Sequence, residues 1–377
     1  MTERPVFRLG LIDTGFMGRA HAFAFTLAPR VFDLPVEVRL EVVADVDAEA
    51  AEDARRRLGF ARAVTDWRAL VEAVDVVDIT TPSTLHEEMA LTAIAAGKAV
   101  YCEKPLAPTA MQAGAMTRAA ESAGVVTQVG FNYLKNPLLA LARDMIRAGE
   151  LGEIRSYRGV FAEDYMADAA QPWTWRHDPA GGGGAFADLG SHAVATARYL
   201  LGPIAEVRGR AVTAIPERPG DDGPRAVHVD DHTSAWIRFA GGAVGTLEAN
   251  WMATGRKMQH DFEVYGSKGA LVFTQERLNE LRLYERDDPE GRRGFRTICA
   301  GPEHEPYGAF CPAAGHQLGF NDLKVVEVRD FCHGLAGWPH PGPDFREGWA
   351  VQQVVEAVYA SSRDDRWHGV HEPDAAG

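Results

Sequence analysis

Phe7-Arg8-Leu9-Gly10-Leu11-Ile12-Asp13-Thr14-Gly15-Phe16-Met17-Gly18 is an apolar run that breaks on a turn and restarts with a different period. Phe7 to Ile12 reads as a buried strand, and Phe16 to Leu27 as a helix with Phe16, Ala20, Phe23 and Leu27 along one stripe. The turn between them has the spacing of the dinucleotide fingerprint G-x-G-x-x-G, with Asp13 in place of the first glycine. Gly15 would let the backbone approach a diphosphate at the helix N-terminus, and Gly18 would let helix and strand pack closely. Asp tolerates the backbone angles of such a turn, but a carboxylate beside a diphosphate is electrostatically unwelcome unless it points away, so weakened cofactor affinity is expected.

Working outward, the strand Leu40 to Ala44 ends in Asp45, at the distance from the fingerprint where a carboxylate accepts bonds from both adenosine ribose hydroxyls. Such a carboxylate repels a 2′-phosphate, so NAD is expected rather than NADP. An Asp there also suits a plain turn into the helix that begins near Asp47. Alternation continues with a helix over Ala48 to Leu58, a strand Val74 to Thr80, a helix Leu85 to Ala96, a strand Ala99 to Cys102, a helix Ala110 to Ala123 and a strand Val125 to Val129. This is the pattern of an α/β Rossmann fold, a doubly wound parallel sheet, over residues 1–130. Ligands of such sheets sit at the carboxyl ends of the strands. Cofactor contacts are therefore expected from Asp13, Thr14, Gly15, Phe16, Met17 and Gly18, from Asp45, from Thr81, Pro82 and His86, and from Glu103 and Lys104.

After the helix Pro137 to Ala148 the pattern changes. Strand-like runs Ile154 to Ala162, Val207 to Thr213, Thr233 to Phe239, Val244 to Trp251, His260 to Tyr265 and Ala270 to Thr274 follow one another, with Gly241-Gly242 as a hairpin turn. They predict an α+β domain over 131–377 with a large, mostly antiparallel open sheet, the helix Phe186 to Leu201 on one face. An apolar outer face would need cover, so a homo-oligomer, dimer or tetramer, is expected through this sheet. The stretch 287–320 shows little periodicity and reads as a long loop with Tyr307 and His316 as further candidates. Helices over Asp322 to Leu335 and Phe345 to Ser362 close the chain, the latter with a core stripe of Val351, Val354, Val355 and Val358; the acidic tail after His371 is expected to fray.

Four glycines, Gly181 to Gly184, precede Asp188 and His192. At helical spacing i and i+4 share one face, so an acid and an imidazole would project together as a proton-handling pair. An Asp capping a helix beside a surface His has the same spacing. Just upstream lies Pro172-Trp173-Thr174-Trp175-Arg176-His177, whose Trp175 and Arg176 suit a polyol, aromatic faces packing on C–H groups and Arg donating to hydroxyls. Asn132 and Tyr133 follow the last Rossmann strand and are candidates for contact with substrate or nicotinamide. No His-x-x-x-His or cysteine cluster accompanies these groups, so no metal is expected; no Gly-x-Ser-x-Gly elbow suggests a hydrolase.

The 377 residues carry 39 basic and 53 acidic side chains, a formal charge of -14, which argues against nucleic acid or an anionic membrane as partner. Four cysteines without Cys-x-x-Cys spacing, no signal core and no apolar run near the ~20 residues of a membrane span fit a cytoplasmic protein with a small-molecule partner.

Taken together, Gly10-Leu11-Ile12-x-Thr14-Gly15-Phe16-Met17-Gly18-x-x-His21, Thr81-Pro82 with His86, Glu103-Lys104-Pro105-Leu106 and Asp188-x-x-x-His192 resemble the Gfo/Idh/MocA oxidoreductases over nearly the whole chain. Arg292-Arg293-Gly294-Phe295-Arg296-Thr297, Gly301-Pro302 and Pro306-Tyr307-Gly308 are most similar to the levoglucosan dehydrogenase branch and sugar 3-dehydrogenases, beside the inositol dehydrogenases. The resemblance implies that Lys104 is the catalytic lysine, that Lys104-Pro105 is cis, that Asp188 and His192 contact substrate beside the lysine, and that the second domain's sheet forms an oligomer interface. The implied activity is NAD-dependent oxidation of a secondary hydroxyl of a sugar, anhydrosugar, glycoside or cyclitol, the proton leaving through Lys104 or His192. Two alternatives remain at this point: an NAD-retaining enzyme that oxidises transiently to allow elimination or glycoside cleavage, and a non-catalytic sugar or nucleotide sensor.

Overall fold

In the computed structural model residues 4–373 are described. The chain forms two compact units, one made of the chain up to Lys135 with Gly319–Trp349, the other of Asn136–Leu318 with Ala350–Glu372. A single division at residue 130 therefore leaves out one feature: Gly319–Trp349 packs with the first unit.

The first unit begins with β1 (Val6–Ile12), α1 (Phe16–Val31), β2 (Glu37–Ala44), α2 (Ala48–Leu58), β3 (Arg62–Val64), α3 (Trp67–Ala73), β4 (Val76–Ile79), α4 (His86–Ala95), β5 (Ala99–Cys102), α5 (Ala110–Ala123) and β6 (Thr127–Val129). Six strands form a parallel sheet in the order β3-β2-β1-β4-β5-β6. The reversal of order beside β1 is the switch point at which open α/β sheets bind ligands. Asp47 caps α2 through the amides of Glu49 and Ala50, and Gly59 ends that helix at φ 84, a conformation only glycine adopts cheaply. In α1 the expected stripe of large residues is on the wrong side. Phe16 and Phe23 are exposed, and Gly18, Ala20, His21, Ala22, Ala24, Phe25 and Ala28 are buried. Small side chains let the helix lie close on the sheet, which outweighs the area that a stripe of phenylalanines would bury.

The second unit contains α6 (Pro137–Arg147), β7 (Ile154–Glu163), α7 (Ser191–Leu201), β8 (Ile204–Val212), β9 (Glu217–Gly220), β10 (Gly223–Ala226), β11 (His232–Phe239), β12 (Val244–Asn250), β13 (Lys257–Gly266), β14 (Gly269–Thr274), β15 (Glu280–Glu285) and β16 (Arg296–Cys299). The chain then returns to the first unit with α8 (Phe320–Leu335), and α9 (Phe345–Asp364) leads to β17 (His368–Gly369). The large sheet runs β16-β15-β14-β13-β7-β12-β11-β8-β17 and is antiparallel except for the pair β7–β12. In β11, Thr233, Ala235, Ile237 and Phe239 point inward and alternate with outward Ser234, Trp236 and Arg238. The outer face mixes charged side chains with the exposed rings of Trp236 and Trp367. Arg158, Arg208, Arg210, Trp236, Glu248 and Trp367 line a groove of about 720 Å³ there. Alternation explains the charged part, since the inner face takes most apolar residues and turns their neighbours outward.

The stretch 287–320 is also less irregular than expected. β16 pairs with β15 inside it, and Tyr307 is wholly buried, its hydroxyl donating to Ala313 O (3.0 Å) and accepting from Gln317 N (3.1 Å). Tyr307 braces the loop from within, while His316 is exposed. α9 buries Val351, Val354, Val355 and Val358 as expected. Of the acidic tail, Glu372 pairs with Arg198 at 3.0 Å, and residues from 374 on lie outside the described residues.

Candidate active site

Asp13, which follows β1, adopts φ 81, the left-handed region that a fingerprint glycine would occupy. Its Oδ1 accepts a hydrogen bond from Gly15 N at 2.6 Å. Burial pushes its carboxyl up, the Gly15 bond opposes that, and the nearby Asp45 adds to it. Thr14 donates through both its amide (3.1 Å) and its hydroxyl (2.5 Å) to Asp45 Oδ2, so the carboxylate at the end of β2 is fixed against the turn after β1. Gly18 is indispensable to the turn: a Cβ there would lie 2.2 Å from Asp13 O. Phe16 is exposed and stacks on Phe320 at 5.7 Å, and Met17 is half-buried. The turn fits a dinucleotide in its glycines, its capless helix start without an acidic first turn, and the placement of Asp45; only the Asp13 charge runs against it.

Thr80 Oγ1 donates to Ile12 O at 2.9 Å, tying the next turn to the first. In that turn Thr81 and Pro82 are half-buried, whereas His86 is wholly buried. The ring nitrogens of His86 lie 2.8 Å from Thr81 O and 3.1 Å from Pro105 O. His86 is thus a staple between two loops, both ring nitrogens facing backbone carbonyls.

The third turn follows β5. Glu103 is buried, and its Oε2 accepts from the Lys104 amide at 3.0 Å. Its Oε1 lies 2.9 Å from His21 Nε2 and 2.7 Å from Lys324 Nζ. His21 Nδ1 in turn lies 2.9 Å from Asp78, and Lys324 lies 2.8 Å from Glu327, whose carboxylate also accepts from the Tyr101 hydroxyl. Burial opposes ionisation of Glu103, yet Lys324 and His21 hold its carboxyl well below the usual range. Burial likewise opposes the charge on His21, and Lys324 with it, but Asp78 and the bonds to both carboxylates raise it. Glu103 thus faces the interior charge cluster through one carboxylate oxygen and holds the Lys104 amide with the other. Lys104 itself is half-buried and precedes a cis peptide bond to Pro105. Asn132 and Tyr133 are buried in the turn after β6; Asn132 Nδ2 has no hydrogen-bond partner among the described residues, and Tyr133 packs edge-on to Phe320 at 6.2 Å.

In the second unit, Asp188 lies within a single π-turn, Phe186–Gly190, that runs into α7. π-turns inside helices often mark functional sites. Asp188 Oδ2 accepts from the Tyr165 hydroxyl (2.7 Å) and from Arg176 Nε (3.3 Å), and the Arg176 guanidinium sits 4.5 Å over the partly exposed Trp175 ring. His192, in the first turn of α7, is nearly buried, its ring 5.6 Å from Phe161. His260 lies flat on the same Phe161 ring at 4.8 Å, and burial pushes it down to about 3, so it stays neutral. The start of the π-turn is fixed by Asp230, which accepts from Phe186 N (3.0 Å), Thr233 Oγ1 (2.6 Å) and the Tyr359 hydroxyl (2.7 Å). Tyr359 also accepts from Ala187 N at 3.1 Å.

Sequence reasoning missed Lys324, Asp78, Tyr165, Asp230 and Tyr359, because each acts through a partner remote in the chain. Among the described residues no group of three or more His, Cys, Asp and Glu could hold a metal ion, and no helix is long and apolar enough to cross a membrane.

Two family models match the chain: "Oxidoreductase family, NAD-binding Rossmann fold" over residues 7–131 and "GFO/IDH/MocA C-terminal domain" over residues 139–272. Levoglucosan dehydrogenase of Pseudarthrobacter phenanthrenivorans is 39% identical over 381 residues, covering 95% of this chain and 97% of its own. Inositol 2-dehydrogenase of Rhizobium meliloti is 29% identical, covering 95% and 98%. A solved structure of levoglucosan dehydrogenase in complex with NADH and levoglucosan superposes with a TM-score of 0.93 at 39% identity, over 97% of this chain and 99% of that one.

Proposed function

The chain belongs to the Gfo/Idh/MocA family of oxidoreductases, and from that premise we propose that it oxidises a secondary hydroxyl of a sugar, anhydrosugar, glycoside or cyclitol with NAD. The observation that supports this reading is that Lys104, its amide bonded to the buried Glu103 carboxylate, follows β5 at the same carboxyl-end edge of the parallel sheet that presents the Gly15–Gly18 turn. The full-length likeness to levoglucosan dehydrogenase supports an anhydrosugar or related pyranose.

Bound NAD supplies the hydride acceptor. The amides of the turn after β1 would take its diphosphate, and Asp45, fixed by Thr14, its adenosine ribose. The Lys104 amine and the His192 imidazole are the candidates to receive the hydroxyl proton. Asp188, held by Tyr165 and Arg176, would accept from a second hydroxyl, and Trp175 offers an apolar face to the ring. We also propose that a second copy covers the outer face of the large sheet at Trp236; sedimentation of a monomer at micromolar concentration would refute this.

The test is NADH absorbance with purified protein, NAD or NADP, and a panel of anhydrosugars, free sugars, glycosides and inositols. NADH should appear with one substrate class and NAD should outperform NADP. In K104A turnover should fall about 10²–10⁴-fold with NADH binding unchanged. Full turnover in K104A would remove Lys104 from the mechanism, and silence across the panel with tightly retained cofactor would favour transient oxidation instead.

A further inference from the structure

Asp13 is the position at which the cofactor turn departs from the glycine pattern, and its geometry says what the departure does. The residue keeps the left-handed backbone, φ 81, so the turn itself is preserved. The carboxylate is folded back onto the turn: Oδ1 accepts from Gly15 N at 2.6 Å and lies so close over Gly15 that a Cβ there would sit 2.8 Å from it. Gly15 is the N-cap of α1, and neither a side-chain cap nor an acidic residue occupies that helix's first turn. Asp13 is therefore the anion at the helix start, the place where a dinucleotide fold receives the diphosphate on its amides. A second carboxylate, Asp45, borders the same turn, and its proximity together with partial burial already opposes the charge on Asp13.

We propose that the Asp13 carboxylate is a resident competitor of the cofactor diphosphate. It occupies the Gly15 N–H and sets like charge against the incoming diphosphate, so NAD and NADH bind more weakly and leave faster than from the same turn with an uncharged residue at 13. For a dehydrogenase, whose turnover includes release of reduced cofactor, such a residue trades affinity for exchange. This inference rests on the cofactor assignment and is independent of which sugar is oxidised.

The experiment is titration of the wild type, D13N and D13G with NADH alone, followed by quenching of protein fluorescence, with stopped-flow displacement for the dissociation rate. D13N keeps a residue that tolerates the left-handed region and an oxygen that can accept from Gly15 N, and removes only the charge; D13G restores the fingerprint. Each should bind NADH roughly tenfold or more tightly, with slower dissociation, and the gap should narrow as salt is raised. Cooperative melting of each variant without NADH shows that it is folded, and the two substitutions back each other up. Unchanged or weaker NADH binding by folded D13N and D13G would overturn the inference while leaving the cofactor assignment intact. Absence of NADH binding by all three proteins would overturn both.

Discussion

A carboxylate removed from water must be met by positive charge at hydrogen-bond distance, and Glu103 is met twice, by His21 and by Lys324. Breaking such a cluster on one side strands charge in the interior. E103Q should therefore cost about 3–5 kcal/mol in urea unfolding and should lower turnover as well, because its single oxygen cannot serve both the Lys104 amide and the two cations. The pH dependence follows from the two directions. Glu103 is held below its ordinary 4.5, so its contribution is present above that pH and is lost as pH falls through the lower folded value. His21 is raised above 6.5, so its contribution is complete below that pH and is lost as pH rises through the folded value. Wild-type urea midpoints should be highest between these two values and decline on either side; equal midpoints on passing from pH 5.5 to pH 9 would contradict a charged His21. At this scale the sequence is legible where chemistry is local. The fingerprint glycines and Asp45 can be read from spacing, and Lys104 from its motif. Lys324 cannot, since a lysine in a helix is by default a surface residue, and nothing near it in the chain announces a buried acid 221 residues away.

The element that positions Asp188 is a π-turn, and its stability comes from outside itself. Asp230 receives Phe186 N and the Tyr359 hydroxyl, which in turn receives Ala187 N, so a residue before β11 and one on α9 hold the helix start. D230A would orphan Phe186 N and the Tyr359 hydroxyl at once. We expect a loss of about 2–6 kcal/mol by thermal or urea unfolding, since each buried unsatisfied group costs about 1–3 kcal/mol. A larger fall in substrate affinity than in NADH affinity should accompany it, and equal losses of both would contradict a local role. Most elements were legible because they are long and periodic: α2, α5 and β5 fall on the expected residues. The short β3 and α3 were not, being too brief to show a period. β15 buries Leu281 and Leu283 in alternation, a signal present in the sequence but masked by its flanking charges. β16 is an edge strand, almost wholly exposed, and so offers no apolar pattern to read.

At the scale of the chain, the first unit is not complete when the parallel sheet has been made. β6 is the last strand of that sheet, and its Val129 amide donates to Pro343 O at 2.9 Å while Thr127 Oγ1 accepts from Phe345 N at 3.3 Å. Residues near 343–345 thus cover an edge that would otherwise expose unpaired backbone. α8 contributes more than cover: Lys324 neutralises Glu103, Glu327 O accepts from the Gln128 side chain at 2.9 Å, and Asp330 pairs with Lys135 at 2.7 Å. A fragment ending at Lys135 keeps every strand of the Rossmann sheet and loses all of these partners. It should bind 1-anilinonaphthalene-8-sulfonate, melt without cooperativity and fail to bind NADH, although the fingerprint and Asp45 are present in it. Joining residues 1–135 to 319–349 through a flexible Gly/Ser linker should restore cooperative melting and NADH binding together. A fragment 1–135 that melts cooperatively by itself would show that the buried charges can be satisfied without α8, and the dependence argued from Lys324 and Asp330 would be wrong.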